Sequence, residues 1–289
     1  MAKKIMILGS TGMLGHQVFY NLKSENKFDI IDISYRNKLR PETIILDLHN
    51  KQDLEALIKR ENPDYIVNCV GVLIKGANDN PANAIYLNSY LPHFLAKIAD
   101  NLNSKLIHIS TDCVFSGEKG GYTEKDEKDG KDIYAKTKAL GEVENSNHLT
   151  LRTSIIGPEL KQNGEGLFHW FMQQEEETNG FTKAIWSGVT TTELANVVVT
   201  SLEQNLSGLY HVTNGQPINK YELLRLFQEH TGKDIKITAV EGKQVDKSFM
   251  DTRKELKKTI PTYSQMIEEM VSFMKSHPHL YENYNLAQK

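Results

Sequence analysis

Cysteine is scarce in this chain of 289 residues: only Cys69 and Cys113 occur, and neither has the spacing of a metal ligand. That excludes a disulfide framework, and no metal site is expected. Both thiols fall in or beside expected buried strands, which fits a reduced, cytoplasmic protein. Long apolar runs are missing too, so no membrane partner is expected; the run at 5–8 is too short even for a signal peptide. Positive charge is not in excess. With 34 basic and 37 acidic residues the formal net charge is −3, without the cationic footprint of a nucleic-acid binder. Internal repeats and low-complexity tracts are absent. What remains, 39% hydrophobic and 25% charged residues, is the composition of a globular α/β enzyme with a substantial core.

The opening stretch carries the first positive signal. A short apolar strand over 4–8 runs into Gly9-Ser-Thr-Gly12-Met-Leu-Gly15, then into a helical stripe of Val18, Phe19 and Leu22. Strand, glycine turn and helix in that order make a dinucleotide-binding turn, in which the free N–H groups of the helix start face a pyrophosphate. A second strand over 28–34 ends at Ser34-Tyr35-Arg36. A guanidinium beside a hydroxyl suits a 2′-phosphate, so NADPH is expected, with NADH the alternative. Asp47 ends a third strand where an adenine could be met, followed by Leu48. A fourth strand, 65–70, brings Asn68 and Gly71 to the cofactor edge. The polar stretch 72–83 reads as a loop over the site, and 91–102 as an amphipathic helix preceded by Asn88, a buried anchor or part of a cap.

The strand at 106–109 delivers Ser110-Thr111-Asp112 to its carboxyl end, where ligands sit in an open parallel sheet. A charged loop over 117–132 follows, part of it expected as a substrate lid. Tyr134 and Lys138 then stand four apart on a helix, one turn from each other, where an ammonium can favour an ionised phenol. A sixth strand covers 150–156. Thereafter strand and helix alternate less regularly, with capping-box spacings at Thr190–Glu193 and Asn219–Glu222. The expected fold is α/β: a Rossmann-type doubly wound parallel sheet over 1–157, with returns near 188–213, and a smaller substrate lobe from 158–187 and 214–289.

Taken together, Gly-x-x-Gly-x-Leu-Gly at 9–15, Ser-Thr-Asp-x-Val-Phe-x-Gly at 110–117, Tyr134-x-x-x-Lys138 with Leu140-Gly-Glu142, Leu-Arg-Thr-Ser at 151–154 and Gly-Val-Thr-Thr-Thr-Glu-Leu-Ala at 188–195 carry a resemblance. The chain resembles the extended short-chain dehydrogenase/reductases, and within them the dTDP-4-dehydrorhamnose reductase group, over nearly its full length. The resemblance implies NADPH-dependent reduction of the C4 ketone of a nucleotide-linked 4-keto-6-deoxy sugar, supplying surface polysaccharide precursors. It implies that Tyr134 donates a proton to the carbonyl oxygen, that Lys138 lowers the tyrosine pKa and holds the nicotinamide ribose, and that Thr111 orients the same oxygen. Gly9, Thr11, Gly12, Met13, Leu14, Gly15, Arg36, Asp47, Leu48, Asn68, Gly71 and Ser110 would line the cofactor. Asp112, Cys113, Phe115, Ser154 and Trp186 would meet the substrate, and a homodimer is expected.

One position departs from the pattern. Rhamnose-type reductases usually carry tyrosine where this chain has Cys113. The GDP-fucose synthase group, which epimerises at C3 and C5 before reducing, has a cysteine there, so Cys113 could remove an α-proton with a second acid such as His169; its bland alternative is a small buried hydrophobe. Nucleotide-sugar 4,6-dehydratases place a glutamate at this position, so dehydration lacks its base. A third alternative is a non-catalytic regulatory subunit resembling the methionine adenosyltransferase β chain, which would have no need of the acid.

Overall fold

A computed structural model describes residues 2–286. In chain order the first part comprises β1 (Lys3–Leu8), α1 (Gly15–Ser24), β2 (Phe28–Ser34), β3 (Ile44–Ile45), α2 (Lys51–Glu61), β4 (Tyr65–Asn68), α3 (Ile74–Asp79) and α4 (Pro81–Ala84). A π-helical turn, Ile85–Tyr90, leads into α5 (Leu91–Asn101), β5 (Lys105–Thr111), α6 (Ile133–Leu140) and β6 (Leu149–Thr153). Next come β7 (Ile155–Ile156), α7 (Leu167–Met172), β8 (Glu177–Phe181), β9 (Ala184–Trp186), β10 (Val189–Thr190), α8 (Thr191–Glu203) and β11 (Gly208–His211). The chain closes with β12 (Ile218–Asn219), α9 (Lys220–Thr231), β13 (Lys236–Val240), β14 (Val245–Asp246) and α10 (Tyr263–Ser276).

Seven strands form one parallel sheet in the order β3-β2-β1-β4-β5-β6-β11. Alternation along the strands divides the core between its faces. Ile5, Ile7, Val67, Ile107 and Leu151 pack with Val18, Phe19 and Leu22 of α1 and with apolar residues of α8 and α10. Met6, Leu8, Ile66 and Leu106 pack on the other side with Leu54 and Ile58 of α2 and Leu91 and Leu95 of α5. Each such fully buried aliphatic side chain contributes about 1.5–3 kcal/mol. The strand order reverses between β1 and β4, which opens a crevice at their carboxyl ends. β11 is the return from the second half, and it places His211 beside Arg152 in register.

The second half adds small sheets, β12-β9-β14 and β13-β8, beside the pair β10-β7. Several expected boundaries move. Residues 72–83 are not an open loop: α3 and α4 occupy them, with Asn80 accepting the Asn83 N–H at 3.1 Å and Pro81 in the first helical position. The sixth strand breaks at Ser154, because β7 leaves the main sheet to pair with β10. At Thr190 only half of a capping box forms: the threonine accepts the Glu193 N–H, while the Glu193 carboxylate turns to Lys258 at 3.2 Å. The reciprocal box is at Thr262–Gln265, opening α10. The 117–132 loop is docked rather than loose, since Tyr122 exchanges backbone hydrogen bonds with Ser248 and Met250, both at 2.8 Å. No helix among the described residues is long and apolar enough to cross a membrane.

Candidate active site

The glycine turn is set by close backbone approach. Gly9 sits at φ 83°, in the left-handed region. A Cβ on Gly15 would lie 2.0 Å from the Gly9 carbonyl oxygen, so the first residue of α1 has no room for a side chain. This turn forms one wall of a cleft of about 450 Å³. Of the expected cofactor residues, Gly9, Thr11, Gly12, Arg36, Asp47, Leu48 and Gly71 line it. Tyr35, His49 and Lys161 line it as well, and the sequence had not marked these as ligands. The His49 backbone N–H and imidazole both bond Asp47, holding its carboxyl below the usual range, while the imidazole stacks on Tyr86 at 4.7 Å. A wider, shallower depression of about 730 Å³ on α9 shares no residue with this cleft.

Four expected cofactor residues stand behind the wall or beside it. Leu14 is core. Asn68 is fully buried, accepting from Val70 N and facing His108 Nδ1 at 3.2 Å. Ser110 donates to Glu142 at 2.6 Å. Met13 turns its methyl group toward Gly166 of the second half, where a Cβ would come within 2.9 Å. A nicotinamide dinucleotide nonetheless fits the wall: the turn has no side chain at its closest approach, the Ser10 hydroxyl is buried there without a partner, and two cations, Arg36 and Lys161, border the cleft.

Tyr134, Lys138 and Thr111 meet at the carboxyl end of β5, all three buried. Asp132 caps α6 by accepting the Ala135 N–H at 2.7 Å. The helix is held sideways by the π-helical turn. Asn88 accepts from Val72 N at 2.8 Å and donates to Thr137 Oγ1 at 3.2 Å, and Ser89 donates to the Thr137 carbonyl at 2.7 Å. Gly141 permits this contact, for a Cβ there would fall 1.8 Å from the Asn88 carbonyl oxygen. Asn88 is thus an anchor and not a cap.

The electrostatics differ from the expected picture in one respect. Burial raises the Tyr134 phenol above its ordinary value, Cys113 adds to the rise, and Thr111 opposes it. The net shift of the phenol is upward; the Lys138 ammonium donates to the Ile109 carbonyl at 2.7 Å, and burial brings it down to about 8. The Thr111 hydroxyl donates to Asp112 at 3.1 Å. Cys113 lies beside them, its thiol pushed up to about 12 by burial and by Asp112, against the pull of Lys247.

Two lysines from the second half were not legible as site residues. Lys220, the first residue of α9, is brought below its ordinary value by burial, with Asp112 and Cys113 opposing. Lys247 stands above its ordinary value against its burial, through the charge of Cys113 and Asp112. Among the expected substrate residues, Asp112 and Cys113 are in this group. Trp186 lies behind Lys220, at 5.7 Å from ammonium to ring. Phe115 is stacked on Tyr122 at 4.2 Å in a satellite core. Ser154 gives its carbonyl to Val189 N. His169 is engaged by Tyr284, Nδ1 to hydroxyl at 2.8 Å.

Comparison with known proteins agrees with this geometry. The model of the RmlD substrate binding domain family matches residues 3–276. The methionine adenosyltransferase 2 subunit beta of Xenopus tropicalis is 25% identical over 235 residues, covering 76% of this chain and 70% of that protein. A dTDP-4-keto-6-deoxy-D-glucose reductase of Streptomyces niveus is 25% identical over 241 residues, 81% of each chain. Among solved structures, the dTDP-4-dehydrorhamnose reductase of Bacillus anthracis in complex with NADP superposes with a TM-score of 0.80 at 21% identity, covering 95% of this chain and all of that one (100%).

Proposed function

Since the chain belongs to the RmlD substrate binding domain family, we propose that it reduces the C4 ketone of a nucleotide-linked 4-keto-6-deoxy sugar with NADPH, giving an activated sugar for surface polysaccharide. The observation that carries this is the joint burial of Thr111, Tyr134 and Lys138 at the end of β5, beside a glycine turn that has no room for a side chain. NADPH, when bound along the cleft, supplies the hydride. Tyr134 supplies the proton: burial keeps its phenol protonated at neutral pH, as an acid must be. The hydroxyl of Thr111 orients the carbonyl oxygen toward that proton. Lys138, fixed on the Ile109 carbonyl, presents its remaining N–H donors to the nicotinamide ribose. Arg36 at the tip of β2 favours the 2′-phosphate of NADPH. The reductase of Streptomyces niveus and the NADP-bound reductase of Bacillus anthracis support the same reading.

Two alternatives are weaker. An epimerase would need Cys113 as a base, yet a thiol at about 12 stays protonated at neutral pH, and His169 is bonded to Tyr284. A regulatory subunit has the Xenopus relative in its favour. Against it stands the acid, Tyr134, in a buried catalytic setting that a binding module does not require. Mixing the protein with NADPH and a panel of nucleotide-linked 4-keto-6-deoxy sugars separates the reductase from the regulatory subunit. Cofactor oxidation with at least one sugar is expected; none with any of them would sink the reductase.

A further inference from the structure

The segment between β7 and α7 closes on itself around one buried carboxylate. Glu159 Oε1 accepts the backbone N–H groups of Glu165 at 2.9 Å and Gly166 at 2.7 Å. The carboxyl-terminal tail pins this loop from outside. Tyr284 accepts from the Glu159 N–H at 2.8 Å, and Asn283 donates to the carbonyls of Glu159 and Lys161, both at 3.2 Å. The same tail grips the start of α1, where the Tyr281 hydroxyl meets His16 Nε2 and Gln17 Nε2, both at 2.7 Å. One strap therefore holds the glycine turn and the 159–166 loop in fixed relation. The loop's Lys161 lines the cleft wall together with Gly9, Thr11 and Gly12.

We propose that Lys161 is a phosphate ligand for the dinucleotide's pyrophosphate, delivered across the cleft by this loop, and that Asn283 is its positioning residue. The inference rests on the dinucleotide reading of the cleft. The pyrophosphate is the phosphate in question because the loop's contact is with the turn itself, Gly166 against Met13, whereas Arg36 stands at the β2 tip, where the ribose would lie. A lysine is a compact, mobile point charge, suited to an anion that arrives in a partly open cleft. The backbone N–H groups of the turn and the ammonium then approach the pyrophosphate from opposite lobes.

Equilibrium titration of the purified full chain with NADPH and with NADH, followed by fluorescence, tests this without any sugar substrate. Lys161→Ala weakens both dinucleotides by the same factor, roughly tenfold, as for a lost charge-assisted hydrogen bond. The thermal midpoint of the ligand-free variant stays that of the parent, since Lys161 is exposed. Asn283→Ala weakens both less, and adds nothing in the Lys161→Ala background. Unchanged affinity in Lys161→Ala overturns the assignment, and so does a loss confined to NADPH, which would place the lysine on the 2′-phosphate. An Asn283→Ala effect that persists without Lys161 overturns the positioning role. Failure of the parent protein to bind either dinucleotide overturns both this inference and the reductase reading, whereas normal binding by parent and variant alike overturns the inference alone.

Discussion

Glu142 and Arg152 meet in a bidentate ion pair, Nε to Oε1 at 2.8 Å and Nη2 to Oε2 at 2.6 Å, with both side chains closed to solvent. Glu142 follows α6, Arg152 lies in β6, and the pair draws in Ser110 from β5 at 2.6 Å and His211 from β11 at 2.9 Å. It thereby joins the helix carrying Tyr134 and Lys138 to three adjacent strands. The carboxyl is held below its usual range despite its burial, chiefly by Arg152. Removing the guanidinium strips the buried carboxylate of both guanidinium hydrogen bonds and leaves it to Lys128 at 3.1 Å and to Ser110. Arg152→Met is expected to destabilise the fold by about 3–5 kcal/mol, and Glu142→Gln combined with Arg152→Met by less. Urea unfolding of the two variants decides it; a double variant worse than the single would count against the pair as described.

Gly15 gives a second expectation. With only 2.0 Å between a Cβ and the Gly9 carbonyl oxygen, the contact is with backbone and cannot be relieved by a rotamer change. Gly15→Ala must open the turn or shift α1, at a cost of roughly 1–3 kcal/mol for overpacking. NADPH affinity should fall with it, because the displaced N–H groups form the wall of the cleft. An alanine variant with parental stability and parental NADPH affinity would show that the turn is looser than its geometry.

These two examples mark what the sequence discloses and what it conceals. The glycine turn was legible because local spacing alone determines it: strand, turn and helix are contiguous. So was the parallel sheet, through the buried runs of β1, β4 and β5. Glu142 and Arg152 were visible only as matches to a family pattern; nothing in sequence says that residues ten apart face one another across β6. Lys161, Lys220 and Lys247 were invisible for a related reason. A lysine on a loop or at a helix start is ordinary, and only tertiary folding brings it to the cleft or to Cys113. Phe115 shows the converse. The resemblance implied a substrate contact, whereas the ring stacks on Tyr122, from a loop whose docking on Ser248 could not be foreseen.

Tyr134→Phe isolates the acid. The ring stays in its buried place, and only the hydroxyl is lost. Turnover of the 4-keto sugar is expected to drop by about 10²–10⁴-fold, the span of general acid–base contributions. NADPH affinity should change little, because no part of the cleft wall is altered. Substantial retained turnover would move the proton donor elsewhere.

Acid sensitivity should come from buried neutral histidines. His16 is brought down to about 4 chiefly by burial, and His211 to about 4 by burial and then Arg152. Unfolded, each titrates near 6.5, so between that value and about 4 the unfolded chain binds more protons than the fold. The histidine contribution is intact above about 6.5 and is lost as pH falls toward 4, on the order of 1–3 kcal/mol per residue. His16→Gln should lower stability at neutral pH through its lost partners, Gly12 and Tyr281. It should also reduce the difference in urea midpoint between pH 7.5 and pH 5. An undiminished difference would assign the acid sensitivity to other groups.

Lys138 predicts opposite trends for function and stability on the basic side. Burial puts its ammonium at about 8 in the fold, with Glu142 opposing, against 10.5 for an ordinary lysine. Between these values the unfolded chain again holds more protons, so the contribution of Lys138 to stability rises with pH through that window. Function moves the other way, because a neutral amine no longer presents a charge to the nicotinamide ribose. The value of kcat/KM for NADPH, which reports groups of the free protein, should decline as pH passes about 8. Lys138→Arg carries a guanidinium that does not lose its proton in this range. Whatever activity remains in that variant should lack the decline near pH 8, while the parent shows it. A basic limb at the same pH in both proteins would remove Lys138 as its source and leave Lys220, also brought down by burial, to be tested in its place.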